Sequence, residues 1–206
     1  MIKNIVFDLG NVLLDFDPES YLADLEYDEQ QKMEIKKAVF ASPEWLQLDR
    51  GSLNFAEAKK KMIARNPHLA PEIENVVDGW EKILSLKEDT LLILKELAQK
   101  DYQLYVLSNF HQKAFAYVHE KYDFFSYFSG IVISSEVGMI KPEKEIYSYL
   151  LNEYQLKAEE TLFIDDTLAN IEAAQSKGIK GIHFQTAEML KEELQYYFES
   201  VESLGE

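Results

Sequence analysis

The sequence has no cysteine, which excludes disulfides, thiol nucleophiles and zinc–thiolate centres. It has no apolar run approaching about 18 residues, so a membrane-spanning helix is excluded. No apolar stretch follows a basic start as in a secretory signal, and a cytoplasmic location is expected. Positive charge is scarce: 21 Lys and Arg stand against 37 Asp and Glu, giving a net charge of -16. Such a field repels phosphate backbones, so nucleic acid is not an expected partner. A small anionic substrate remains admissible, because one metal ion or lysine reverses the potential inside a pocket. His68, His111, His119 and His183 show neither metal-ligand spacing nor a Ser or Cys partner, and none is assigned chemistry. Internal repeats and low-complexity segments are absent.

What is present is an ordinary globular composition: 206 residues, 47% hydrophobic, enough for one substantial core and a smaller insert. The chain is organised around residues 2–17. The apolar run Ile5-Val6-Phe7 stops at Asp8, with Gly10 and Asn11 directly after, and reads as a short buried strand ending in a turn. Asp8 then stands at a strand's carboxyl end, where ligands collect in an open parallel sheet. Asp before Gly and Asn also suits a plain Asx-turn.

From Pro18 to about Leu86 the pattern predicts about four short helices and no strand, with Trp45, Phe55 and Trp80 as aromatic centres of a helical insert. Beyond it, Asp89-Thr90 caps a helix through Lys100. Strands follow at 103–107, 130–134, 161–164 and 181–184, separated by helices at 111–122, from Pro142 through Tyr154, up to Gly178, and from Glu188 to Ser200. Strands alternating with helices imply right-handed crossovers and one parallel sheet covered on both faces, a Rossmann-like α/β core. The predicted organisation is a core formed by 1–16 and 87–206, with a helical cap domain at 17–86.

Three strands end in polar residues: Asp8, Ser108-Asn109 and Asp165-Asp166. Parallel strands bring these ends to one edge. Adjacent carboxylates repel unless a cation, usually Mg²⁺, lies between them, although an Asp pair also suits a helix start. Lys141, just before Pro142, opposes the dipole of the helix expected there unless an anionic ligand or the carboxylates hold it.

The ordered set Asp8-Leu9-Gly10-Asn11-Val12, Leu107-Ser108-Asn109, Lys141-Pro142 and Asp165-Asp166, with Asn170 four residues on, resembles the haloacid-dehalogenase-like (HAD) hydrolase superfamily across essentially the whole chain. Within it the sequence looks most like the sugar-phosphate phosphatase group whose first motif also reads Asp-Leu-Gly-Asn-Val, a group that includes an α-glucose-1-phosphate phosphatase. The resemblance implies a Mg²⁺-dependent phosphomonoester hydrolase acting on a small phosphorylated metabolite, a sugar phosphate, through an aspartyl-phosphate on Asp8. It also implies that Asp8, the Gly10 carbonyl and Asp166 hold Mg²⁺, with Asp165 in or beside the ligand shell. Ser108 and Lys141 would serve the transferring phosphoryl group, Asn109 would contact the phosphate or leaving group, and Asn170 would orient a carboxylate. Trp45, Arg50 and Trp80 are candidates to line a substrate pocket from the cap.

One departure matters: where most phosphatases of the superfamily carry an acid/base Asp two residues after the nucleophile, this chain has Gly10. Asp15 and Asp17 are nearby substitutes, although the chain should carry them into the cap hinge. Two other readings stay open, a metal-independent 2-haloacid dehalogenase and a non-catalytic binder of a phosphorylated ligand. A monomer and a homodimer are both compatible with the aromatic Tyr196-Tyr197-Phe198 segment, which would cover either a dimer contact or the chain's own sheet.

Overall fold

The computed structural model describes residues 1–199. Its centre is a five-stranded parallel sheet, ordered β5-β4-β1-β6-β7, built from β1 (Asn4–Phe7), β4 (Gln103–Ser108), β5 (Gly130–Ile133), β6 (Thr161–Asp165) and β7 (Lys180–His183). The middle strand, β1, is wholly buried because helices cover both faces of the sheet, and its run is accordingly apolar throughout. Alternation sorts the strand side chains into two layers. Ile5, Phe7, Leu104, Val106, Leu162 and Ile164 face α6 (Glu88–Ala98) and α11 (Ala187–Glu199), whose Leu91, Leu94, Leu190 and Leu194 join the same cluster. Val6, Tyr105 and Phe163 face α9 (Lys144–Glu153) and α10 (Leu168–Gln175), through Ile146, Tyr147, Leu150, Ile171 and Ala174.

From β1 the chain crosses to β4 and β5 on one side, then returns to β6 and β7 on the other. β1 is therefore the point where strand order reverses, and the crevice beyond its carboxyl end is the natural ligand site of such a sheet. Phe7 is level with both Val106 and Ile164, so Asp8, Ser108 and Asp165 leave the sheet at one edge.

Between β1 and β4 the chain forms α1 (Pro18–Ala23), α2 (Glu29–Ala38), α3 (Pro43–Asp49), α4 (Phe55–Arg65) and α5 (Ala70–Gly79). Their starts follow local chemistry: Asp28 and Asn54 make capping boxes with Gln31 and Glu57, and Ser42 caps α3 just ahead of Pro43. Leu22, Ile35, Val39, Met62, Ile73 and Val76 form a separate apolar cluster among these helices. Two features depart from the expected pattern. The segment ends in a strand, β3 (Ser85–Leu86), which pairs antiparallel with β2 (Leu14–Asp15) as a two-stranded ribbon at its base. Two residues per strand are too few to carry a periodic signal. The ribbon also moves the start of α6 forward to Glu88, because Lys87, which donates its N–H to the Leu13 carbonyl, takes the capping position expected of Asp89.

In the core, α7 (Gln112–Lys121) follows β4, and the short α8 (Ser134–Val137) follows β5. The helix expected from Pro142 starts only at Lys144. Residues 140–143 form a turn, closed by the Glu143 N–H on the Ile140 carbonyl. Lys141 therefore sits in a loop and not at a helix start. Gly178 takes a left-handed conformation (φ 82°) in the turn after α10. Ser200, the expected end of the last helix, lies outside the described residues. Phe198 stacks on Tyr102 and the Tyr197 hydroxyl reaches the Gly181 carbonyl, so both cover the chain's own core, while Tyr196 is exposed. Among the described residues no helix is long and apolar enough to cross a membrane.

Candidate active site

Asp8, one residue past β1, is nearly buried, and its N–H donates to the Ile164 carbonyl. Its Oδ1 accepts from the Leu9 N–H and lies 2.8 Å from Lys141 Nζ. The same ammonium is 2.6 Å from Asp165 Oδ2, so one buried lysine bridges two carboxylates and lies over the Phe163 ring. Burial pushes the Asp8 carboxyl up to about 7 against the pull of Lys141, and Asp165 adds to the push. Burial works to lower Lys141, but Asp8 and Asp165 outweigh it and hold the ammonium above its ordinary range.

Asp165 is fully buried, and its oxygens are spoken for. They accept from Lys141, from the Thr167 N–H at 2.8 Å and from Asn170 Nδ2 at 2.9 and 3.1 Å. Asn170 thus orients Asp165, and the Tyr147 hydroxyl holds the Asn170 carbonyl in turn. Asp166 is partly exposed. Asn11 Nδ2 donates to its Oδ2 at 3.1 Å and the Thr167 hydroxyl to its Oδ1 at 3.3 Å. Asn11 sits at φ 55°, a conformation Asn tolerates better than most residues, and the sequence pattern marked it only as a turn.

Carboxylate oxygens of Asp8, Asp165 and Asp166 lie within 4.8 Å of one another. Three carboxylates against one bridging ammonium leave an excess of negative charge, and the donors are all hard oxygens, which fits a divalent cation of the Mg²⁺ type. The Gly10 carbonyl is taken by no hydrogen bond among the described residues. Beside this cluster the Ser108 hydroxyl is buried and close enough to lower the Asp8 pKa, yet has no hydrogen-bond partner among the described residues, so it is a donor open to an acceptor.

Asn109 is placed differently from expectation. Its amide pairs reciprocally with the backbone of Lys141, donating to the carbonyl at 3.0 Å and accepting from the N–H at 2.8 Å. It is a clamp that positions Lys141 and uses one of the two Nδ2 hydrogens, and Asn109 also lines the cavity described below. Arg50 also departs: its guanidinium forms a two-point pair with Glu143 (Nη1 to Oε2, 2.9 Å) and is not among the residues lining the cavity described below. Asp15 pairs with Lys87 on the ribbon and Asp17 caps α1, so neither is available for proton transfer at Asp8.

Next to Gly10 a cavity of about 90 Å³ opens between the inserted helices and the sheet edge. Its walls are Phe16, Trp45, Trp80, Leu84 and Phe110, with Asp49, Asn109 and His111 as the polar members. Trp45 and Trp80 are both wall and core, in edge contact with each other at 4.8 Å. His111, dismissed on sequence, is 3% exposed and edge-on to Trp45, with Nε2 3.1 Å from Asp49 Oδ1. No spacing rule would have found it, because its partner comes from α3, far away in the chain.

Against known proteins, the family model that matches describes a haloacid dehalogenase-like hydrolase and spans residues 2–178. The chain is 27% identical to a sesquiterpene phosphatase of Aspergillus oryzae over 88% of its own length and 89% of the relative's. It is 25% identical to a D-ribitol-5-phosphate phosphatase of Bacteroides thetaiotaomicron, covering 87% of this chain and 90% of that one. A solved HAD-family enzyme from the same bacterium, in complex with magnesium and inorganic phosphate, superposes with a TM-score of 0.72 at 25% identity, covering 90% of this chain and 95% of the other.

Proposed function

The chain belongs to the haloacid dehalogenase-like hydrolase family, and from that premise we propose that it is a Mg²⁺-dependent phosphatase of a small phosphomonoester. The observation that carries the reading is the buried Asp8, bridged to Lys141 and facing the unpartnered Ser108 hydroxyl, within a cluster of three carboxylates. A phosphoryl group is what such a site lacks: an electrophile for Asp8 and an acceptor for Ser108.

In this reading an Asp8 oxygen attacks phosphorus and the alcohol leaves; water then cleaves the aspartyl-phosphate and frees Asp8. The Ser108 hydroxyl hydrogen-bonds a phosphoryl oxygen, and Lys141 balances the charge that gathers on the transferring group. Asn109 holds Lys141 in place and Asn170 holds Asp165, so the charged groups need not reorganise during the reaction. Asp8, Asp166 and the Gly10 carbonyl would hold Mg²⁺, which when bound supplies charge neutralisation between nucleophile and phosphate. Asp165, saturated by its donors, stands beside that shell.

A sugar or sugar-alcohol phosphate is the first substrate class. Tryptophan faces such as Trp45 and Trp80 suit the C–H faces of a polyol, and a relative over most of the chain is a ribitol-5-phosphate phosphatase. The walls are mostly hydrocarbon, however, so an apolar alcohol is the second class, in keeping with the sesquiterpene phosphatase relative. A metal-independent dehalogenase is disfavoured by the uncompensated carboxylates, and a non-catalytic binder by the intact nucleophile geometry.

The test is hydrolysis of an aryl phosphate, then of sugar, polyol and isoprenoid phosphates, with and without Mg²⁺, by wild type and by Asp8→Asn. Turnover that needs both metal and Asp8 is expected. Turnover that survives either omission would overturn the assignment.

A further inference from the structure

Breaking the phosphate ester of an unactivated alcohol leaves an alkoxide that needs a proton. The charged cluster is poorly placed to give one, because Lys141 is shared between Asp8 and Asp165. At Gly10 a Cβ would meet nothing within 4 Å, so the space beside the nucleophile loop is open and continues into the cavity. The side chains lining that cavity include one imidazole and one carboxyl group, His111 and Asp49; the Asn109 amide pairs with the Lys141 backbone, and the remaining walls are aromatic or aliphatic. His111 is buried against Trp45 and Trp80, at ring-centroid distances of 4.3 and 5.3 Å. Asp49 lies close to it, but at an angle that leaves both imidazole nitrogens without a hydrogen-bond partner among the described residues. A buried polar ring left unsatisfied at the wall of a cavity is a group in want of a ligand.

We infer that His111, with the Asp49 carboxylate 3.1 Å from its Nε2, is the proton-transfer residue for the leaving group, taking over the work of the carboxylate that Gly10 lacks. The inference rests on the phosphatase reading of the same site. In the first half-reaction an Asp8 oxygen bonds phosphorus, the bond from phosphorus to the alcohol oxygen breaks with its electron pair on that oxygen, and the His111 imidazolium proton passes to it. In the second half the oxygen of water bonds phosphorus, and a water proton returns to the neutral imidazole. The bond between phosphorus and Asp8 breaks with its pair on the carboxylate. The Asp49 carboxylate, 3.1 Å from Nε2, takes no proton in either half and offsets the charge of the imidazolium.

The two residues come from separate segments, His111 from the loop after β4 and Asp49 from the end of α3. Ser134 ties these segments together: its hydroxyl donates to the Asp49 carbonyl and accepts from the Phe110 N–H at 2.9 Å. The proton-transfer pair thus exists only while α3 is docked on the core.

The experiment is a leaving-group series in saturating Mg²⁺, from a nitrophenyl phosphate to alkyl phosphates, with wild type, His111→Gln and Asp49→Asn. His111→Gln is expected to lower kcat/KM on the alkyl esters by about 10²- to 10⁴-fold, and far less on the nitrophenyl ester, whose phenolate needs no proton. Asp49→Asn, which keeps the side-chain volume, should give the same dependence on leaving group at smaller amplitude. An equal loss on every ester in variants that melt like the wild type would assign the pair to packing or binding and overturn the inference. No loss on any ester would overturn it too. A wild type that hydrolyses no ester in Mg²⁺ would instead defeat the phosphatase reading, an outcome visible before any variant is made.

Discussion

The ammonium of Lys141 lies 2.8 Å from Oδ1 of Asp8, although Asp8 follows β1 and Lys141 belongs to the turn after α8. It is also the counter-ion of Asp165, and both carboxylates are buried. Removing one partner of a buried pair leaves uncompensated charge and costs about 3–5 kcal/mol. Lys141→Met is expected to lower stability on that scale without added cation, measured by chemical denaturation, and to abolish turnover. A variant as stable as the wild type would mean that the two carboxylates do not depend on this lysine.

Burial raises Asp8 to about 7, well above the unfolded value, so the sign of its pH dependence is fixed. A raised carboxyl contributes stability that is complete below its unfolded pKa, near 4, and that is lost as pH rises toward about 7. Mg²⁺ bound at Asp8 reverses this by favouring the ionised form. The rise in Tm on adding Mg²⁺ is therefore expected to be larger at pH 8 than at pH 5, and binding near pH 6 should release a proton, measurable by calorimetry in buffers of different ionisation enthalpy. An equal rise at both pH values would contradict the placement of the cation at Asp8.

Gly51 takes φ 73°, and a Cβ there would fall 2.1 Å from the Ser135 carbonyl oxygen, so Gly51→Ala must push the Asp49–Gly51 turn off α8. Its backbone, not its side chain, makes the close contact. The expected result is a KM raised by about tenfold or more, with kcat falling most on esters of poor leaving groups, since displacement separates Asp49 from His111. The neighbouring Arg50–Glu143 pair is a contrast. Its side chains are 35% and 39% exposed, and such surface pairs are worth roughly 0–1 kcal/mol, so Arg50→Ala should shift Tm little.

Gly10→Asp adds a carboxylate to a position with open space and no left-handed backbone requirement. It is expected to speed hydrolysis of alkyl phosphates and to restore part of what His111→Gln loses, by about 10-fold or more. Steady-state kinetics of the single and double variants reads this directly. A slower single variant would mean that the space is needed by substrate.

The sheet and its functional edge were legible in the sequence because each strand is a short apolar run ended by a polar residue: Asp8, Ser108, Asp165. Parallel pairing then forces those ends together. The helices of the inserted segment were legible through the spacing of their apolar residues, whereas the caps that start three of them, Asp28, Ser42 and Asn54, came from the structure. The ribbon of β2 and β3 was not, since two residues per strand make no period. Contacts that depend on one particular atom meeting another were not legible. Asn109 looked like a phosphate ligand and clamps Lys141, and Arg50 looked like a pocket residue and pairs with Glu143. Asn11 looked like a turn residue and holds Asp166, and His111 looked inert and lies beside Asp49 at the cavity wall.

What the sequence determined by itself, then, was which segments are strands, which edge collects the polar ends and which family's motif order they follow. These depend on local periodicity and on a topology with few alternatives. What only the tertiary structure decided was which polar side chains are already satisfied by the protein and which still lack a partner. Hydrogen bonding and burial are set by contacts between segments far apart in the chain, and two of the buried groups left without a partner among the described residues, Ser108 and His111, stand at the candidate site.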